Sequence, residues 1–96
     1  MTRYVLSPRA KSDLDGIWDY TCKNWGEQQA ILYIRIIQTA IEAVASNPRL
    51  GKSCDHIREG YRKFPAGSHM LFFRLAAGEI DVVRILHRRM DFKRHF

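Results

Sequence analysis

At 96 residues and 11.3 kDa the chain has room for one domain, expected over residues 1–96, and a domain of that size buries roughly 60 to 70% of its unfolded surface. Hydrophobic residues at 46% with 11% aromatic exclude a wholly disordered chain. The N-terminal run lacks the apolar core of a secretory signal, and no apolar stretch approaches the ~18 residues of a membrane span, so a cytoplasmic protein with no membrane partner is expected.

The first element is Tyr4-Val5-Leu6, a short apolar run that stops at Ser7-Pro8. Serine can cap a helix and proline fits its first turn with φ already set, so one strand leads into one helix. From Ala10 the apolar residues recur as Ala10, Leu14, Ile17, Trp18, Cys22 and Trp25, the 3-4 spacing of a helix face, while Asp13, Asp15 and Asp19 fall among the other positions. Gly26 ends this helix, expected over 8–25, because glycine takes the left-handed conformation cheaply. The second helix, expected over 27–46, carries two apolar stripes: Ala30, Ile34, Ile37, Ile41 and Val44, and beside them Tyr33, Ile36, Ala40 and Ala43. That arc suits two neighbours, helix 1 and a sheet, and the short link at Gly26-Glu27 requires an antiparallel hairpin. Asn47-Pro48 ends it, and residues 47–56 read as a connector rather than a phosphate loop, which would need a preceding strand.

Three strands are expected at 61–64, 68–75 and 79–87, rich in aromatic and β-branched residues and split by Pro65-Ala66-Gly67 and Ala76-Ala77-Gly78. A three-residue loop at Ala76-Ala77-Gly78 would pair Arg74 with Ile80 and Met70 with Arg84. It would place Leu71, Phe73, Leu75, Val83 and Ile85 under the helices, and Met70, Phe72, Arg74, Ile80, Val82, Arg84 and Leu86 on the other face. A two-residue loop would exchange the faces of the last strand. The resulting fold class is α+β, in the order β-α-α-β-β-β, with a helical hairpin on one face of an antiparallel sheet.

Chemistry is sparse. Cys22 and Cys54 are too few and too far apart for a disulfide scaffold, and Cys22 is expected in the core. His56, His69, His87 and His95 fall at no metal-ligand spacing, so neither metal nor cofactor is expected. Ser68-His69 are adjacent on a strand and point to opposite faces, and Asp15 with Asp19 is a solvated pair at i, i+4, so no catalytic residue is assigned. Charge is the informative feature. Residues 1–48 hold five Lys/Arg against five Asp/Glu and residues 49–96 hold eleven against five, so the whole +6 belongs to the second half and points to an acidic partner. Arg74 and Arg84 stand on strands, where a cation requires an open face or an answering anion. One reading is that they are edge charges blocking aggregation, or that Arg74 reaches Asp81 or Glu79; the other is a concave face with an apolar floor (Phe72, Val82) and a cationic rim.

In combination these residues resemble the ParE/RelE superfamily of small bacterial toxins. Tyr4-x-Leu6-Ser7-Pro8-x-Ala10-x-x-Asp13-Leu14 opens the likeness. Ile17-Trp18-Asp19-Tyr20 before Trp25-Gly26, Asn47-Pro48-Arg49-Leu50-Gly51, Phe64-Pro65-x-Gly67-x-His69, Phe72-Phe73-Arg74 and Ile85-Leu86-His87-x-Arg89-Met90-Asp91 favour ParE within it. The resemblance implies the toxin of a type II toxin-antitoxin pair, neutralised by a ParD-like antitoxin and poisoning DNA gyrase by binding, with operator DNA reached only through the antitoxin. Antitoxin contact is expected at Met70, Phe72, Arg74 and Arg84. Target contact is expected at Arg88, Arg89, Lys93 and Arg94. The alternative implied by RelE-like relatives is a ribosome-dependent mRNA endoribonuclease. This chain departs from those relatives in carrying Met70 where a basic residue is aligned and in having no tyrosine after Asp91.

Overall fold

Ser7 sets the entry to the first helix: its hydroxyl oxygen accepts the Ala10 N–H at 3.0 Å and Pro8 occupies the first turn, an arrangement worth about 1 kcal/mol. The computed structural model describes residues 3–96; Met1 and Thr2, the start of the domain expected over 1–96, lie outside the described residues. Strand β1 (Tyr4–Leu6) leads into α1 (Pro8–Trp25), and α2 (Glu27–Ser46) follows after Gly26 alone. Gly26 has φ 92° and donates its N–H to the Cys22 carbonyl at 3.0 Å, closing one helix and opening the next. A 3-10 turn (Pro48–Leu50) and β2 (Lys52–Ser53) occupy the expected connector. Then come β3 (Arg62–Ala66), β4 (His69–Ala76), β5 (Glu79–His87) and a last 3-10 turn (Phe92–His95).

The five strands form one sheet in the order β1-β5-β4-β3-β2. It is mixed rather than wholly antiparallel, because β1 pairs parallel with β5, Tyr4 opposite Ile80 and Leu6 opposite Val82. The helical hairpin covers one face.

The β4–β5 register departs from the three-residue reading in two compensating steps. Ala76 pairs with Glu79, so the loop is Ala77-Gly78 alone, with φ 52° and 76°, the two positive angles of a type I′ turn. That slip turns Ile80 and Val82 under the helices. A β-bulge opposite Phe72/Phe73 then inserts Val83 as an extra residue, so that Arg84 pairs with Phe72 and Ile85 with Leu71. Val83 therefore packs on the far face, contrary to expectation, while Ile85 returns to the helix side.

The core lies between the hairpin and the sheet, where Ala10, Ile17, Ile37, Ile41 and Val44 meet Leu71, Phe73, Ile80, Val82 and Ile85. Leu14, Trp18 and Ile34, expected inside, are half-buried. Trp25 and Ile36 are exposed, so the second stripe of α2 is narrower than its composition suggests. Thr21 is buried instead, its hydroxyl donating to the Ile17 carbonyl at 2.7 Å. Cys22 is half-buried, and Cys54 is the fully buried thiol.

Candidate functional site

Beyond Leu6 the β1 edge ends and β5 would present an open row of backbone groups. Helix α1 closes it. The Ser7 hydroxyl donates to the Val83 carbonyl at 2.9 Å, and Asp13 accepts the Ile85 N–H at 2.9 Å. The same carboxylate takes Nε and Nη2 of Arg84, each at 2.9 Å, with both side chains only 15% exposed. This hydrogen bonding holds the Arg84 guanidinium above its ordinary pKa, against the partial burial that opposes its charge. Arg74 lies further along the sheet, its Nε donating to Asp81 at 3.0 Å, with half of its side chain in solvent. Arg74 and Arg84 are thus each answered by an acid, and Asp81 is the partner of Arg74, one of the two acids expected for it.

The apolar floor expected on the far face exists, with a changed membership. Phe72, Leu86 and Cys54 are buried there with Met70, Val83, Ile57 and Tyr61 around them, while Val82 belongs to the other face. The floor is roofed by the chain's own end. Asp91 caps the last turn by accepting the Lys93 N–H at 3.2 Å. The turn drives Phe92 and Phe96 onto Phe72, with ring centroids 4.8 and 5.0 Å apart, and Phe96 meets Tyr61 edge-on at 5.6 Å. Its border carries cations other than the expected Arg74 and Arg84: Arg58 over Tyr61 and Lys63 over Phe92, at 5.9 and 6.0 Å. The terminal segment is therefore packed and basic on its outer side.

At the opposite end of β4 and β5 lies a group the sequence did not single out. The Tyr33 hydroxyl accepts the Ser68 N–H at 2.8 Å and sits 2.6 Å from Nδ1 of His69, whose ring meets His87 edge-on at 5.2 Å. Burial, then the neighbouring His87, pushes the His69 pKa down to about 4. Nδ1 of His87 accepts the Arg89 N–H at 3.1 Å. Arg88 and Arg89 project from the turn that follows, both exposed. Among the described residues no cluster of three His, Cys, Asp or Glu side chains could hold a metal ion, and no helix is long and apolar enough to cross a membrane.

With this geometry in hand, comparison with known proteins is decisive for family. A family model for the ParE toxin of type II toxin-antitoxin system, parDE, matches residues 4–92. The chain belongs to the ParE toxin family. Toxin ParE1 of Mycobacterium tuberculosis is 55% identical over 95 residues, covering 98% of this chain and 97% of the relative. Toxin ParE1 of Caulobacter vibrioides is 41% identical over 95 residues, covering 99% and 98%, and Toxin ParE of Escherichia coli is 36% identical over 92 residues, covering 95% and 89%. A solved chain from the chromosomal ParDE TA system of P. aeruginosa superposes with TM-score 0.79 over 91% of this chain and 96% of that one; at 21% identity it establishes the shared fold.

On this ParE scaffold the expected site residues divide. Met70, Phe72, Arg74 and Arg84 come together around the far face, but Phe72 is fully buried under the terminal turn and Arg84 is tied to Asp13. Arg88, Arg89 and Lys93 are exposed and, among the described residues, make no ion pair, whereas Arg94 reaches Asp91 at 3.5 Å. Sequence reasoning missed Asp13, although its place three residues after Ala10 and four before Ile17 puts it on the buried arc of α1. It also missed Tyr33 with His69, whose encounter across 36 residues has no local signal.

Proposed function

We propose that this toxin, acting as one domain over residues 1–96 in the cytoplasm, is neutralised by direct binding of a ParD-like antitoxin and inhibits DNA gyrase by binding it, with no reaction of its own. The observation that carries the reading is the amphipathic far face: an aromatic floor that already holds one short segment with apolar residues four apart, Phe92 and Phe96, inside a basic rim. An antitoxin segment with apolar anchors and acidic flanks has the same shape and the complementary charge. Because Phe92 and Phe96 already cover Phe72, the segment would seat its anchors over Phe72 and Met70 by displacing those two rings, and its acids against Arg74, whose remaining guanidinium N–H groups stay open to it. Arg84, paired with Asp13 through Nε and Nη2, would contribute its remaining guanidinium N–H groups rather than net charge. Operator DNA is reached through the antitoxin.

Gyrase contact is assigned to Arg88, Arg89, Lys93 and Arg94, which line the outer side of the final turns. A non-enzymatic mode is supported by the state of the side chains that proton transfer would need. His69 is neutral and bonded to Tyr33, His87 is engaged by its own turn, and Met70 occupies the position where RelE-like nucleases align a basic residue. Purified protein tested in parallel on gyrase supercoiling and on translating ribosomes should inhibit the first, be relieved by antitoxin, and leave mRNA intact on the second. Arg88→Glu with Arg89→Glu should abolish growth arrest while antitoxin binding persists. Ribosome-dependent cleavage lost selectively on His87→Ala or His95→Ala would overturn the reading.

A further inference from the structure

The Tyr33–His69–His87 group lies between two open clefts that share Ser68 and His87. The first, about 330 Å³, is walled by Tyr20, Trp25 and Gln29 on the helical hairpin and by Tyr33 and His69 beneath. The second, about 500 Å³, runs past Gly67 to Arg88 and Arg89. From these residues we infer that the paired clefts form a binding site for a nucleoside phosphate, the base against Trp25 and Tyr20 and the phosphate against Arg88 and Arg89.

Hydrogen bonding fixes how the two imidazoles are held. The Tyr33 oxygen accepts from Ser68 and lies 2.6 Å from Nδ1 of His69 and 3.5 Å from the Ala66 carbonyl, so the His69 ring is anchored through Nδ1 and its Nε2 is left for another partner. Nδ1 of His87 accepts the Arg89 N–H, which leaves its Nε2 for another partner as well. Two anchored ring edges therefore stand between an aromatic wall and a pair of arginines. The chain-wide positive charge does not explain this arrangement, because a solvated basic surface has no need of two rings held in fixed orientations.

The aromatic wall is the second observation. Trp25 and Tyr20 are 70% and 66% exposed, an unusual cost for rings that bury 150–250 Å² each elsewhere. A base has a π-face that stacks on such rings without regard to sequence. Gln29, on the same wall, can donate and accept at once and so matches the amino group and ring nitrogen of adenine. At the other end the phosphate meets guanidinium donors suited to its oxygens. No Asp or Glu is among the residues lining either cleft. Asp13 borders an adjoining cleft and is paired with Arg84.

The test needs neither gyrase nor antitoxin. Adenosine 5′-monophosphate is titrated into the full chain while tryptophan fluorescence is followed, in parallel with adenosine, ribose 5-phosphate, and a short oligodeoxyadenylate with and without a 5′-phosphate. Expected is saturable quenching by the monophosphate at sub-millimolar concentration, weakened roughly tenfold or more when either the base or the phosphate is missing. Trp25→Ala, and separately Arg88→Ala with Arg89→Ala, followed by isothermal titration calorimetry because Trp25 is itself the fluorescent reporter, should each weaken binding about tenfold with the far-ultraviolet circular dichroism unchanged, because all three side chains are exposed. Stronger binding of the phosphorylated oligomer than of the monophosphate would assign the site to a strand end; the reverse order would assign it to a free nucleotide. Absence of binding at about 5 mM, equal binding of ribose 5-phosphate, or undiminished affinity of the Trp25 variant by calorimetry would overturn the inference.

Discussion

Removing the carboxylate of Asp13 tests how this fold is held at its weakest seam. Three hydrogen bonds of 2.9 Å end on that one group, two from Arg84 and one from the Ile85 N–H, and all lie where β5 has lost its neighbour β1. Asp13→Ala leaves a guanidinium only 15% exposed without a counter-charge and a backbone donor without an acceptor. Breaking a buried pair from one side costs about 3 to 5 kcal/mol, and the residual exposure here places the loss near the lower end, about 3 kcal/mol. For a domain of this length that is a fall in Tm of roughly 12 to 20 °C. Asp13→Asn keeps an acceptor for Ile85 and should lose about 1 kcal/mol less. Arg84→Met combined with Asp13→Leu should be less harmful than Asp13→Ala alone, because the orphaned charge is gone. Urea unfolding followed by circular dichroism on the four proteins of the Asp13→Leu/Arg84→Met cycle, with Asp13→Ala alongside, gives the coupling directly, expected at about 1.5 to 3 kcal/mol. A loss below ~1 kcal/mol for Asp13→Ala, or a coupling below ~0.5 kcal/mol, would show that the pair is a surface ornament rather than the seam's closure.

Further perturbations address the core and pH. Ile37→Ala and Phe73→Ala should each destabilise by about 2 to 5 kcal/mol in the same urea assay. Gly51→Ala should cost about 1 to 3 kcal/mol, since a Cβ there would run into the Phe73 ring; an unchanged midpoint would mean the ring moves aside freely. His69 has a folded pKa of about 4, below the 6.5 of the unfolded chain. Its contribution is therefore complete above pH 6.5 and is lost as pH falls from there towards 4. A fully buried ring would lose ~3 kcal/mol over that window, and solvent screening of this partly exposed one reduces it to about 1 to 2 kcal/mol. The neighbouring charges are His87, which adds to the effect, and Asp13, which opposes it. Stability of wild type and His69→Gln measured at about pH 7.5 and 4.5 should differ in slope by that amount; parallel slopes would remove His69 from the account.

Much of this protein was settled by its local sequence. Ser7-Pro8, Gly26 and Asn47 fix where both helices begin and end, because caps and breakers act through the backbone within a turn. The family likeness was legible for a related reason: its motifs sit at those same caps, turns and strand starts. Periodicity placed Ile17, Ile37, Ile41, Leu71 and Phe73 in the core, as each lies centrally on its element. What tertiary structure decided began at β5. A two-residue turn and a bulge each shift the side-chain alternation by one, so Ile80, Val82 and Val83 changed faces while Ile85 did not. Neither step has a propensity large enough to read from six residues, and the choice falls to packing under the helices. The same holds for Asp13 with Arg84 and for Tyr33 with His69, separated by 71 and 36 residues. A carboxylate on α1 looks solvated until the folded chain brings it to an unpaired strand edge, and a basic tail looks free until Phe92 and Phe96 find an aromatic floor that only the assembled sheet provides.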